Sequence, residues 1–180
     1  MIANPILDWF MPFITTEKHW TFPLILAWLM LVVFGGRKAR TTALVAAVTL
    51  LFTDQIVNFL LKPLIGRTRP CFVLEHVRLL IHQPHSFSFP SSHAANAASI
   101  ATLLSIQYRK FAFVLIPVAI LIGISRMYVG VHYPSDVAAG LTIGVLIALG
   151  ILWLEQRIEE RLFKKQVGST QSIPATEKDE

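Results

Sequence analysis

The chain has 180 residues, of which 54% are hydrophobic and only 15% charged, with a net charge of +5. This is about one domain's length, and its charged fraction, far below the roughly 25% of soluble domains, excludes an ordinary water-soluble enzyme and calls for lipid as the solvent. The basic residues stand in short clusters between long apolar runs rather than in a continuous basic and aromatic stripe, so nucleic acid is excluded as a partner.

In chain order, residues 1–19 carry Trp9, Phe10 and Phe13 among polar residues, with Pro5, Asp8 and Pro12 interrupting any apolar run. No basic segment, apolar stretch and small-residue cleavage site follow one another, so no cleaved signal peptide is expected. The segment reads as interfacial, lying along the outer membrane surface. Beyond it, a helix needs about 20 residues to cross a hydrocarbon core of about 30 Å. Five runs qualify: Trp20 to Phe34, Thr41 to Leu61, Ser92 to Tyr108, Phe111 to Met127 and Ser135 to Leu154. The second carries Asp54, Gln55 and Asn58, and the third is built from Ala, Ser, Thr and Asn, so both belong at the bundle centre. Gly140 and Gly144 form a GxxxG pair suited to close helix packing. The expected fold is therefore all-α: an integral-membrane bundle of about five transmembrane helices. An interfacial segment at 1–19, a helical membrane domain at 20–165 and a disordered polar tail at 166–180 complete the organisation.

Clusters of Lys and Arg follow the first, third and fifth runs, at Arg37, Lys38 and Arg40, at Arg109 and Lys110, and at Arg157, Arg161, Lys164 and Lys165. Five crossings place all three on one side, the cytoplasm by the positive-inside rule. The outward loops nonetheless hold Lys62, Arg67, Arg69, Arg78 and Arg126, and an anionic ligand would account for cations there. Arg67 and Arg78 read as surface charges. Cys71 has no partner for a disulfide and reads as an apolar filler. His76, His82 and His85 fit no standard metal spacing and read as loop-surface residues. Residues 74–81 are expected to form a short amphipathic element over the lipid head group, and Asp54 with Asn58 to make structural hydrogen bonds too deep for a head-group phosphate.

Three blocks fall at the outward ends of different helices and can converge. Lys62 and Arg69 leave the second run, and Arg126 ends the fourth; a point charge and two guanidiniums suit a tetrahedral anion. Pro90, Ser91, Ser92 and His93 read as a helix start with Ser91 near the cap, and exposed amides at a helix N-terminus attract anions. His132 and Asp136 are four apart across Pro134, so the carboxylate can fix the imidazole tautomer and leave the other ring nitrogen free as a nucleophile. His93 then suits a general acid, protonating a leaving oxygen and later drawing a proton from water.

Taken together, Lys62-x6-Arg69-Pro70, Pro90-Ser91-Ser92-His93 and Ser125-Arg126-x5-His132-x3-Asp136 resemble the three-part signature of the type-2 phosphatidic-acid phosphatase (PAP2) and vanadium-haloperoxidase superfamily. The resemblance implies that Lys62, Arg69 and Arg126 hold the phosphoryl oxygens with help from Ser91 and Ser92, that His132 attacks phosphorus, that Asp136 orients it and that His93 serves the leaving group. It departs at one position, where Ser92 replaces the family's usual glycine. It implies no metal and no organic cofactor, a lipid phosphate as substrate, and a place in the bacterial inner membrane with the site facing the periplasm or exterior. Undecaprenyl diphosphate, phosphatidylglycerol phosphate and phosphatidate are the implied substrates. A lipid A phosphatase, a lipid phosphotransferase, the haloperoxidase branch and a non-enzymatic anionic-lipid-binding protein are the alternatives.

Overall fold

The computed structural model describes residues 4–82 and 85–171, with no side chain described for Phe163 or for residues 165–171. Among the described residues there is no strand. The elements are α1 (Pro5–Thr15), α2 (Glu17–Phe34), α3 (Arg37–Gln55), a π-helical turn (Ile56–Leu61), α4 (Lys62–Ile65), α5 (Pro70–Val73), α6 (Ser92–Gln107), a 3₁₀ turn (Arg109–Phe111), α7 (Ala112–Tyr128) and α8 (Pro134–Gln171).

Four stretches are long and apolar enough to cross a membrane: Glu17–Phe34, Arg37–Val73, Arg109–Tyr128 and Pro134–Leu162. The fifth expected crossing, α6, has 16 residues and at 1.5 Å per residue reaches only about 24 Å, less than the hydrocarbon core. It runs through the bundle as its inner helix, from Asn58 beside its amino end to Lys38 at its carboxyl end. Ala94, Ala95, Ala98, Ser99, Ala101 and Leu103 are buried, and α3, α7 and α8 pack around them. The large apolar side chains point the other way: Phe34, Leu64 and Phe113 are 75%, 75% and 77% exposed. A centre of small residues inside a rim of large ones suits a bundle in lipid, where close backbone approach replaces hydrophobic burial as the source of packing energy.

The α6–α8 contact is the tightest expression of this. A Cβ added at Gly140 would meet the Ala94 side chain at 3.1 Å, and one at Gly144 would collide with the Ala95 backbone. The GxxxG pair thus sets the approach of α8 to α6, whose carboxyl end is capped in turn by Lys38 Nζ donating to Gln107 O at 3.0 Å.

At the opposite end of α3 the helix widens into the π turn, where the Lys62 amide bonds Val57 O. Pro63 gives the physical reason: it lacks an amide, and its ring crowds the carbonyl four residues back, so a regular α-turn is disfavoured there. The turn carries Asn58, which donates to Asp54 Oδ1 at 2.6 Å and accepts from Ser92 Oγ at 2.7 Å. These are the structural bonds expected of Asp54 and Asn58, and they tie α3 to the start of α6. Gly66 then takes φ +62 and closes the helix.

The amino-terminal segment is bound into the bundle. Asn4 caps α1 by accepting from the Ile6 and Leu7 amides, Asp8 pairs with Arg78 at 2.7 Å and accepts from Tyr128 at 2.8 Å, and Met11 is buried against Val129 and Val131. Arg78 is therefore a clamp rather than the free surface charge expected. The loop from 74 onward differs as well, since it forms no amphipathic helix. Leu79, Leu80 and Ile81 fold down on the Met11 cluster instead of floating over lipid, which buries apolar surface that an isolated turn of helix could not. At the other terminus α8 runs past the expected Leu154 to Gln171; residues 172–180 of the expected tail lie outside the described residues.

The packing predicts a contrast within α8. Gly144→Val wedges α6 from α8 at a cost of about 1–3 kcal/mol and should lower the detergent melting temperature by several degrees. Gly150→Val, which meets nothing within 4 Å, should leave it unchanged; equal melting temperatures would show that α6 and α8 do not pack this way.

Candidate active site

The three sequence blocks meet at one end of the bundle, and Asp136 is where they join. It sits in the first turn of α8, fully buried. Arg67 Nη1 donates to its Oδ1 at 2.8 Å, while Ser88 Oγ and the Tyr133 amide donate to Oδ2. Its backbone oxygen accepts from the Ser91 amide at 3.0 Å, which fastens the start of α6 to the start of α8. Sequence reasoning placed Arg67 on the surface. It lies instead over the Tyr133 ring, 4.0 Å from the centroid, with one guanidinium nitrogen on a buried carboxylate, because a buried carboxylate must find a cationic or hydrogen-bonded partner. Ser88 was missed altogether; no motif marks it, and only the chain reversal before Pro90 brings it to Asp136.

His132 is 4% exposed and its two ring nitrogens have different neighbours. Nδ1 lies 3.4 Å from Asp136 Oδ2, and Nε2 lies 3.1 Å from Arg69 Nη1. A guanidinium can only donate, so Nε2 is the unprotonated nitrogen and Nδ1 carries the hydrogen toward the carboxylate. Burial holds the imidazole neutral, lowering its pKa from 6.5 to about 4; the Asp136 contact opposes this, and the charges of Arg69 and Arg126 reinforce it. The expected pairing of His132 with Asp136 is thus present, with a lone pair on the far nitrogen.

The three expected cations are all buried: Lys62, Arg69 and Arg126 are 6%, 3% and 5% exposed. None of them has a carboxylate partner among the described residues. Arg69 is held by Ser86 O at 2.7 Å, Ser86 Oγ at 2.9 Å and Val131 O at 3.0 Å. Arg126 donates to Thr15 Oγ1 at 2.7 Å, but its Nε is buried with no acceptor among the described residues. Burying charge without compensation is costly, so the cluster carries positive charge that an anion could neutralise.

Ser91 caps α6 as expected, its hydroxyl accepting from the Ala94 amide at 3.5 Å. With its own amide on Asp136 O, Ser91 braces the two helix ends. The amides of Ser92 and His93 make no hydrogen bond among the described residues, leaving them open to a ligand at the positive end of α6. Ser92 Oγ is turned toward Asn58. His93 Nε2 lies 2.9 Å from Glu17 Oε1, a neighbour the sequence reading did not foresee. His76, His82 and His85 remain exposed in the loop, and no group of three or more His, Cys, Asp or Glu side chains among the described residues is placed to hold a metal ion.

A multi-pass helical membrane protein with a cluster of buried cations and carboxylate-paired histidines at its helix ends is the class that fold and geometry define. The chain belongs to the PAP2 superfamily, whose family model matches residues 42–160, a range that holds every residue of the three blocks. It is 32% identical over 152 residues to a lipid A 4'-phosphatase of Bacteroides thetaiotaomicron, covering 79% of this chain and 67% of that protein. It is 34% identical over 144 residues to the undecaprenyl-diphosphatase BcrC of Bacillus subtilis, covering 80% and 72%. The solved transmembrane PAP2-type phosphatidylglycerolphosphate phosphatase of Bacillus subtilis superposes with a TM-score of 0.69 at 30% identity, covering 87% of this chain and 80% of that one. The protein is accordingly a membrane lipid phosphatase, a hydrolase of phosphate esters or diphosphates. The non-enzymatic alternative and the haloperoxidase branch are set aside.

The tautomer and burial of His132 generate a prediction. In protein labelled with ¹³Cε1-histidine, the resonance that disappears in His132→Ala should keep its neutral shift from about pH 8 to about pH 5, well below the ordinary histidine midpoint near 6.5. It should begin to titrate only as the pH approaches about 4. A midpoint near 6.5 would mean that the ring is solvated and not held as described.

Proposed function

We propose that the phosphatase works by two in-line displacements through a phosphohistidine on His132, with the site on the outward face of the membrane. The observation that carries this reading is the trio of buried cations, Lys62, Arg69 and Arg126, without a carboxylate partner among the described residues and gathered beside a neutral imidazole. Together with the open amides of Ser92 and His93 they can take the charge of a phosphoryl group. In the first displacement His132 Nε2 attacks phosphorus while His93 gives a proton to the departing oxygen, so the phosphorus–oxygen bond breaks as the phosphorus–nitrogen bond forms. In the second His93 takes a proton from water, whose oxygen attacks phosphorus and returns His132 to its neutral state. Asp136 steadies the Nδ1 hydrogen throughout.

The substrate proposed is the phosphomonoester or terminal diphosphate of a membrane lipid. The rim of exposed apolar side chains around the site end of the bundle, Phe59, Leu64 and Phe72 among them, supports a ligand whose tail stays in the bilayer. Undecaprenyl diphosphate, phosphatidylglycerol phosphate and the phosphates of lipid A, named for the relatives above, are the lipids to compare; transfer of the phosphoryl group to another acceptor would use the same first displacement.

The face follows from charge. Arg37, Lys38 and Arg40, then Arg109 and Lys110, then Arg157, Arg161 and Lys164 all lie at the end of the bundle away from the site, which supports a cytoplasmic assignment for that end by the positive-inside rule and an inner-membrane location. In a Cys71→Ala background, cysteines at Gly36 and Lys164 should resist a membrane-impermeant maleimide in intact cells and one at His85 should react; the reverse pattern would move the chemistry to the cytoplasm.

Chemistry is tested separately. With an activated substrate such as p-nitrophenyl phosphate, whose leaving group needs little protonation, His93→Ala should release p-nitrophenol once and accumulate an acid-labile, base-stable phosphoenzyme. Mass spectrometry should place the phosphate on His132. His132→Ala should show neither turnover nor label, and retention of most of its turnover would remove His132 as the nucleophile.

A further inference from the structure

Glu17 is the first residue of α2 and stands outside the residues that match the family model. A glutamate at that position ordinarily serves the positive end of its own helix. Here its Oε1 reaches across the bundle to His93 Nε2 at 2.9 Å. The Glu17 side chain is 74% exposed, but the backbone beneath it is fixed. Two residues earlier Thr15, 2% exposed, receives Arg126 Nη1 at 2.7 Å. Further back α1 is held by Met11 in the core, by Asp8 on Arg78 and by the Tyr128 hydroxyl on Asp8. The junction of α1 and α2 is thereby anchored over the site, with Thr15 on one phosphate-binding cation and Glu17 on the second histidine.

The two histidines then stand in matching situations. His132 has Nδ1 on Asp136, and His93 has Nε2 on Glu17. His93 Nδ1 makes no hydrogen bond among the described residues and is left for the reaction. We propose that Glu17 is a positioning residue that orients His93 with Nδ1 directed at the leaving oxygen and favours its imidazolium form when the ring takes up a proton. This rests on the reading of His93 given above.

The proton balance is complete within the site. The His93 imidazolium gives its Nδ1 proton to the leaving oxygen and keeps its Nε2 hydrogen on the Glu17 carboxylate. The neutral ring takes a proton from water at Nδ1 as the water oxygen attacks phosphorus, and becomes the imidazolium again. Burial of the ring is the largest influence against a protonated His93, and the cations Arg126 from α7 and Lys62 from the end of the π turn add to it. Glu17 is the carboxylate that works against them.

The test compares Glu17→Gln, Glu17→Asp and His93→Ala on a lipid phosphomonoester and on p-nitrophenyl phosphate, over a range of pH. A general acid must be protonated, so kcat/KM falls as pH rises through the His93 midpoint. Loss of the carboxylate weakens proton binding, and Glu17→Gln should move that alkaline limb to lower pH by about one unit, the scale of a single nearby charge. Its kcat on the lipid should fall about tenfold to a hundredfold, its initial burst on p-nitrophenyl phosphate should change little, and Glu17→Asp should recover most of the loss. An unshifted limb, or equal losses on both substrates with a lowered melting temperature, overturns the proposal in favour of a structural role. A Glu17→Gln enzyme with higher kcat/KM overturns it in favour of a carboxylate that obstructs the site. If His93→Ala loses the first-turnover release on the lipid but keeps it on p-nitrophenyl phosphate while Glu17→Gln behaves as wild type, only Glu17 loses its role. If the first-turnover release by His93→Ala is equally affected on both substrates, the reading of His93 fails and the role of Glu17 with it.

Discussion

A carboxylate withdrawn from both water and lipid costs several kcal/mol unless its oxygens are satisfied, and Asp136 is fully buried. Satisfying it draws two distant pieces of chain onto the segment that leads into α8. Arg67 comes from the turn after α4 and Ser88 from the loop before α6, while His132 and Tyr133 lie just before α8 itself. The Ser91 amide on the Asp136 carbonyl adds the amino end of α6. Remove the carboxylate and these segments lose the group on which they converge, and the imidazole loses the contact that sets its tautomer. The site is therefore a consequence of solving one desolvation problem at a helix end.

Lipid as solvent explains where that problem could be solved. In the bundle's centre the side chains are small, Ala94, Ala95, Ala98 and Ser99 against Gly140 and Gly144, and there is no room for a cluster of charge. At the helix ends the packing opens, backbone amides are unpaired and cations can reach an aqueous ligand. The polar chain of Asp54, Asn58 and Ser92 runs along the seam between α3 and α6 and ends at the amides of the second block. It gives the departure at Ser92 a structural setting: the hydroxyl that replaces a hydrogen is bonded to Asn58.

The amino-terminal helices illustrate how a surface segment becomes part of a site. α1 is amphipathic enough to lie at an interface, yet its polar residues are engaged with Arg78, Tyr128 and Arg126, and this docking decides what Arg126 contacts when no anion is bound. Electrostatics work in the same direction, since a junction carrying Thr15 and Glu17 partly satisfies a cluster that otherwise contains three unpaired positive charges.

Composition and apolar run length determined that the chain is an all-helical membrane protein, because the hydrocarbon thickness sets a length that only long apolar segments meet. The spacing of the three blocks marked the candidate site residues, since His132 and Asp136 lie four residues apart, and Pro90 with Ser91 marks a helix start. These are local signals, readable without knowing any partner. Tertiary structure alone decided that Arg67 serves Asp136 and that Arg78 clamps α1. It alone placed Ser88 beneath the histidine and Glu17 beside His93. Each of these depends on a contact between segments tens of residues apart, 69 in the case of Arg67 and Asp136, and a single sequence carries no periodicity or motif that records such a distance. A buried charge must find its partner in space, and only the folded chain says which one is within reach.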